Sequence, residues 1–117
     1  MKRAITLLSF GAILALSASQ AMAAGDIARG KKKVATCVAC HGQDGNSVDP
    51  QYPRLAGQYA AYLTRALHEY RDGDRDNAIM KGFAATLSDQ DIDDVAAYFS
   101  SMPTKLHGLE HDIQGSN

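Results

Sequence analysis

The chain holds only two cysteines, and a histidine directly follows the second: Cys37-Val38-Ala39-Cys40-His41. On a helix, positions three apart share a face, so both thiols point the same way. At that spacing they can reach the two vinyl groups on one edge of a porphyrin and close two thioethers, while the next residue falls under the iron. Histidine suits that place because its neutral imidazole nitrogen coordinates without first losing a proton. The pentad therefore predicts one covalently bound haem c, with Cys37 and Cys40 as attachment points and His41 as an axial ligand.

Three other uses of the pair have to be weighed. A thioredoxin-like redox pair belongs after a strand in a βαβ setting, and no segment here alternates as a strand. A structural disulfide would leave His41 incidental. A structural zinc site needs four ligands of the Cys/His type, which two cysteines and a neighbouring histidine do not supply.

Met1-Lys2-Arg3 is a basic start, followed by an apolar run to about Ala18 and then Ala21-Met22-Ala23, a small-x-small pattern. This reads as a secretory signal, residues 1–23, cleaved to leave Ala24 or Gly25 first. The run falls short of the roughly 20 apolar residues that a membrane span requires. Export places the two thiols in an oxidising compartment, here the periplasm, with no stable membrane insertion after cleavage. The formal net charge is −1, and loss of Lys2 and Arg3 makes it more negative. No basic patch interleaves with aromatics, so nucleic acid is not an expected partner.

Residues 24–103 then form one small domain, with 104–117 as a flexible, aperiodic tail. A core this small is marginal on hydrophobic burial alone, and a large apolar cofactor at its centre would help hold it. Three helices are expected. The first starts at Asp26 as N-cap and runs toward Cys40. The second covers about Gln58 to Arg71 and ends at Gly73. The third begins after the Ser88 cap, carries an apolar stripe of Ile92, Val95, Ala96 and Phe99, and stops at Pro103. Gly42–Gly57 and Gly73–Leu87 read as loops, so the fold class is all-α.

An iron with a sulfur ligand opposite its histidine has a raised reduction potential. Met80 and Met102 are the candidates for that ligand. Met80, in the loop before the third helix, can fold over the opposite face, whereas Met102 reads as packing. His68, His107 and His111 are rival ligands that read better as solvated. Lys31-Lys32-Lys33 reads as a solvated helix face.

With these residues in place, the sequence resembles the class I cytochromes c of the bacterial periplasm, and among them one haem domain of the di-haem cytochrome c-four type. The match lies in CVACHGQDGNS (37–47), YPRLAGQ (52–58), YL (62–63), DGDRDNAIM (72–80) and LSDQDIDDVAAYFSSM (87–102). The resemblance implies the small class I cytochrome c fold around one haem, with Met80 as distal ligand. It also implies that the Pro53 carbonyl holds the other ring nitrogen of His41. Gly30 would let the Tyr98/Phe99 pair of the last helix cross closely. A second pentad, which the di-haem type carries, does not occur in the sequence, so a monohaem protein is expected.

Two strong axial ligands leave no position for a substrate, so the expected role is one-electron transport and not an enzyme activity. Leu55, Leu63, Leu67 and Ile92 would keep water from the haem, and Tyr52 and Arg54 could bond its propionates. Donor and acceptor would be redox proteins, among them a membrane oxidase of the respiratory chain or a dehydrogenase, and the carrier itself a monomer. Two alternatives stand beside this: a tightly bound cytochrome subunit of a periplasmic dehydrogenase, or a gas- or peroxide-binding haem protein if Met80 does not ligate.

Overall fold

The computed structural model describes residues 24–105; the expected leader, the tail from residue 106, His107 and His111 lie outside the described residues. All regular elements among the described residues are helices: α1 Ile27–Lys33, α2 Ala35–His41, α3 Ala60–Asp72, α4 Ala78–Ala84 and α5 Asp89–Ser100. α5 packs against both α1 and α3, and α4 packs against α3.

The expected first helix is in fact two. Asp26 caps α1 as expected, its carboxylate accepting from the Arg29 N–H at 2.7 Å. The helix then bends at Val34, which sits at φ −83° and ψ 5°, in the sparsely populated bridge between the α and β regions. Backbone hydrogen bonds continue across the bend, from Val34 to Gly30 and from Val38 to Val34. Val34 is buried in the core with Leu63, Val95, Ala96 and Phe99. Packing at the bend thus lets α1 stay on α5 while α2 turns its cysteines elsewhere.

Close approach of α1 to α5 depends on glycine. A Cβ built on Gly30 would overlap the Asp94 carbonyl oxygen and lie 2.8 Å from Tyr98 Cβ. The atoms nearest Gly30 thus belong to Asp94 and Tyr98, one helical turn apart, and Tyr98 is the member of the expected Tyr98/Phe99 pair that meets it. Gly25 is a second such contact, where a Cβ would overlap the Asp93 carbonyl.

Asp94 bolts this crossing. Its carboxylate is 2% exposed and accepts from the Asp26 N–H, from Arg29 Nε and Nη2, and from Gln90 Nε2 at 2.7–3.0 Å. The two-pronged contact with Arg29 is the strong, planar form of ion pair. Nearby, Lys33 pairs with Asp91 at 2.9 Å, so one member of the lysine run serves the same helix contact.

The remaining ends follow their local chemistry. Gly73 ends α3 in the left-handed region at φ 91°, where a side chain would be strained. Ser88 and Asp91 form a reciprocal capping box on α5.

Two outcomes follow from the α1–α5 contact. Gly30→Ala, which helix propensity alone would make stabilising by about 1 kcal/mol, should instead destabilise by roughly 1–3 kcal/mol or more in a denaturant titration, because the methyl has no room. Asp94→Asn should lower stability by about 1–3 kcal/mol near neutral pH. The hydrogen bonds from Arg29, ahead of those from Asp26 and Gln90, hold the Asp94 carboxyl at about 2, below its ordinary 3.8. Such a depressed group contributes stability above the ordinary value and loses it as pH falls toward the folded one. The wild type should therefore lose stability more steeply than Asp94→Asn between about pH 4 and pH 2.

Candidate functional site

Chain segments far apart in sequence meet at one crevice. It encloses about 490 Å³ and is lined mostly by apolar side chains, within the usual size of cofactor sites. α2 contributes Cys37, Cys40 and His41, α3 contributes Leu63 and Leu67, α4 contributes Met80, and α5 contributes Val95 and Phe99.

On α2, both cysteines are half-buried and free, with no disulfide between them. Burial pushes the Cys37 thiol up from its ordinary value. His41 is 5% exposed, and its Nδ1 lies 2.8 Å from the Pro53 carbonyl oxygen. A carbonyl can only accept, so Nδ1 carries the proton and Nε2 keeps its lone pair for a metal. The Tyr52 ring meets the imidazole edge-on with centroids 6.2 Å apart. Such a partner on the second nitrogen fixes the ring and its tautomer, as is usual for a ligating histidine.

The loop that delivers Pro53 is held by its own bonds. Gly45 takes φ 67°, and its carbonyl accepts from both Leu55 and Ala56, folding 45–56 into a closed turn. Buried Asn46 ties this turn to the stretch after α5: its Nδ2 donates to the Pro103 carbonyl, and its Oδ1 accepts from the Lys105 N–H at 2.8 Å. Lys105 also pairs with Asp44 at 3.4 Å. Met102 packs against the same turn, its Sδ 3.1 Å from where a Gly45 Cβ would stand. The sequence contains no periodicity that announces Asn46; its burial comes from tertiary closure alone.

Met80 lies in helix α4, where a loop was expected. Asn77 starts that helix by accepting from the Met80 N–H at 2.9 Å. Seven residues with Gly82 near the middle are too few for an apolar period to show. The helix still matters, because it presents Met80 to the crevice from a fixed backbone.

Other expectations are redistributed. Leu55, Leu63 and Leu67 line the crevice, whereas Ile92 is fully buried outside its wall and Val95 and Phe99 serve there from α5. Arg54 also lines it, with Nε donating to the Ser47 carbonyl at 3.1 Å. His68 is not in the wall; its Nδ1 faces Arg71 Nη2 at 2.9 Å, and it is held, not simply solvated. Arg75, Tyr62 and Tyr70 line the crevice without having been expected there. Among the described residues, no group of three or more His, Cys, Asp and Glu is placed to hold a metal ion, and no helix is long and apolar enough to cross a membrane.

The donor set fits a covalently held haem. Two free thiols, one imidazole nitrogen and one thioether sulfur share an apolar cavity, and large apolar side chains stand exposed at it: Ile79 is 62% and Phe83 42% exposed. A flat, apolar ligand would cover them.

Residues 27–103 match the family model described as Cytochrome c. Cytochrome c4 of Pseudomonas aeruginosa is 53% identical over 81 residues, covering 69% of this chain and 40% of that protein. Cytochrome c-554(548) of Halomonas halodenitrificans is 53% identical over 81 residues, covering 67% of this chain and 98% of that protein. A thiosulfate dehydrogenase electron acceptor of Stutzerimonas stutzeri is 44% identical over 68 residues, covering 57% of this chain and 32% of that protein. Among solved structures, reduced cytochrome c4 from Pseudomonas stutzeri superposes with a TM-score of 0.65 at 46% identity, covering 68% of this chain and 47% of that one. The chain thus spans less than half of the cytochrome c4 proteins and nearly all of the shorter relative.

Because α4 is too short to be stable by itself, its cap should matter more than usual. Asn77→Ala should cost about 0.5–2 kcal/mol and speed amide hydrogen exchange across Ala78–Ala84, with α1 and α5 unchanged. Asn77→Asp should keep the slow exchange.

Proposed function

Given that this chain belongs to the cytochrome c family, we propose that it is a periplasmic one-electron carrier whose single haem c is bound at Cys37 and Cys40 and ligated by His41 and Met80. The observation that carries this reading is the meeting of those four side chains in one apolar crevice. When bound, the haem supplies an iron that gains or loses one electron.

Each residue then has a definable part. Cys37 and Cys40 anchor one edge of the group, so its orientation does not depend on packing alone. Pro53 keeps the His41 ring from rotating, which holds Nε2 on target in both oxidation states. Asn77, by capping α4, does the same for Met80. A sulfur donor paired with imidazole raises the potential relative to two imidazoles. Leu55, Leu63, Leu67, Val95 and Phe99 exclude water, which favours the less charged reduced form. With donors on both sides, no position is left for a substrate, and the protein turns over no reaction of its own.

Electron partners would be other redox proteins, met briefly through a small interface with charge steering. A second form of the reading is that the chain serves as the electron-accepting subunit of a dehydrogenase. The relative described as a thiosulfate dehydrogenase electron acceptor favours keeping it. Co-purification with an enzyme at fixed stoichiometry selects the subunit, and isolation as a free monomer selects the shuttle.

Visible spectra of the oxidised and reduced holoprotein, with and without carbon monoxide, test the ligand set. The oxidised wild type should show a weak band toward the red end from methionine ligation and should not bind carbon monoxide. Met80→Ala should lose the band and bind the gas. A wild type that already binds carbon monoxide would replace the carrier by a gas- or peroxide-binding protein.

A further inference from the structure

Five arginines fall among the described residues. Three are neutralised by carboxylates: Arg29 by Asp94 at 2.7 Å, Arg65 by Glu69 at 3.4 Å and Arg71 by Asp89 at 2.8 Å. The two that form no ion pair among the described residues, Arg54 and Arg75, are the two that line the crevice, and no Asp or Glu lines it. In a chain of net charge −1, the crevice wall is therefore positive.

The two differ in how they are held. Arg54 is exposed and spends Nε on the Ser47 carbonyl. Arg75 is half-buried and braced on several sides. Its backbone N–H donates to the Glu69 carbonyl at 3.1 Å, just past the end of α3. Its guanidinium lies 4.9 Å from the centroid of the Tyr70 ring, well inside the range of a cation–π contact. Nη1 reaches toward the Tyr62 hydroxyl over a long 3.4 Å. Tyr62 and Tyr70 fix the guanidinium in place, yet neither cancels its charge. Asp72, Asp74 and Asp76 surround it in sequence but none pairs with it, and Glu69, which adds a weak pull on its charge, is itself paired with Arg65.

We propose that Arg75, fixed by Tyr62 and Tyr70, is a potential-setting residue whose uncancelled charge stabilises the reduced state in the crevice. The inference rests on the electron-carrier reading. One electron arriving lowers the charge of the site by one, and a fixed cation across low-dielectric walls favours that state. The tyrosines supply position and leave the field intact, which a carboxylate partner would not.

Redox titration of holoprotein carrying Arg75→Gln or Arg75→Lys, at low and high salt, tests this. Arg75→Gln should bind its electron roughly three- to tenfold less tightly than wild type, a tenfold loss being about 59 mV for one electron. Arg75→Lys should keep most of the wild-type potential, and high salt should shrink the gap between wild type and Arg75→Gln. An unchanged potential in Arg75→Gln overturns the proposal, and so does a fall in Arg75→Lys as large as in Arg75→Gln. The methionine band separates the remaining cases. If it vanishes only in Arg75→Gln, the shift belongs to a displaced Met80 and the charge role fails. If wild type itself lacks the band, the carrier reading fails and takes this role with it.

Discussion

The buried carboxylate of Asp94 is the interaction on which the rest of the structure depends. It collects the α1 N-cap amide, both prongs of Arg29 and the Gln90 amide at one point, and so fixes how α1 lies across α5. A buried charge is tolerable only when its lone pairs are satisfied, and here four donors do so. The glycines at 25 and 30 make the geometry possible, because any side chain there would meet α5 backbone. Every later feature inherits this crossing. α2 continues from α1 through the bend at Val34, so the direction in which Cys37, Cys40 and His41 face is set by a contact outside the crevice.

The second constraint is the closed turn 45–56, which turns one histidine into a defined ligand. His41 on its own could present either nitrogen. The Pro53 carbonyl decides which, and that carbonyl is placed by the double acceptance at Gly45 and by Asn46. Asn46 also holds Pro103 and Lys105, so the stretch after α5 closes over the same loop that aims His41. The His41 side of the crevice and the stretch 103–105 after α5 are one hydrogen-bonded unit.

The parts of this arrangement that were legible in the sequence are those with local chemistry. The pentad, the Asp26 and Ser88 caps, the Gly73 stop and the apolar stripe of α5 depend on neighbours within a few residues, and each appears where the sequence places it. The resemblance supplied the His41–Pro53 bond and the role of Gly30, neither of which a spacing rule contains. What stayed hidden depends on long-range contacts. Asp94 stands among Asp89, Asp91 and Asp93, and only the docking of α1 reveals that its carboxylate is the buried one. Helix α4 is too short to show a period, so Met80 looked like a loop residue. The bend at Val34 divides a stretch whose pattern is continuous, because tertiary packing, and not propensity, ends α1 there. Ile92 shares the α5 stripe with Val95 and Phe99, but a stripe shows that a residue is inside, not which cavity it faces.

The arginines show how one residue type is divided between two tasks. Arg29, Arg65 and Arg71 face carboxylates, and their charges are spent on joining helices or strengthening them. The more exposed pairs of Arg65 and Arg71 add modestly to stability, and a charge paired in any of the three ways projects little field. Arg54 and Arg75 form no ion pair among the described residues and stand beside a mostly apolar cavity that no Asp or Glu lines. On the proposed carrier role, their positive charge would favour the state of the site that has gained an electron. The frame bolted at Asp94 lies outside the crevice wall, so the charges that join the helices and those that face the cavity are separate sets.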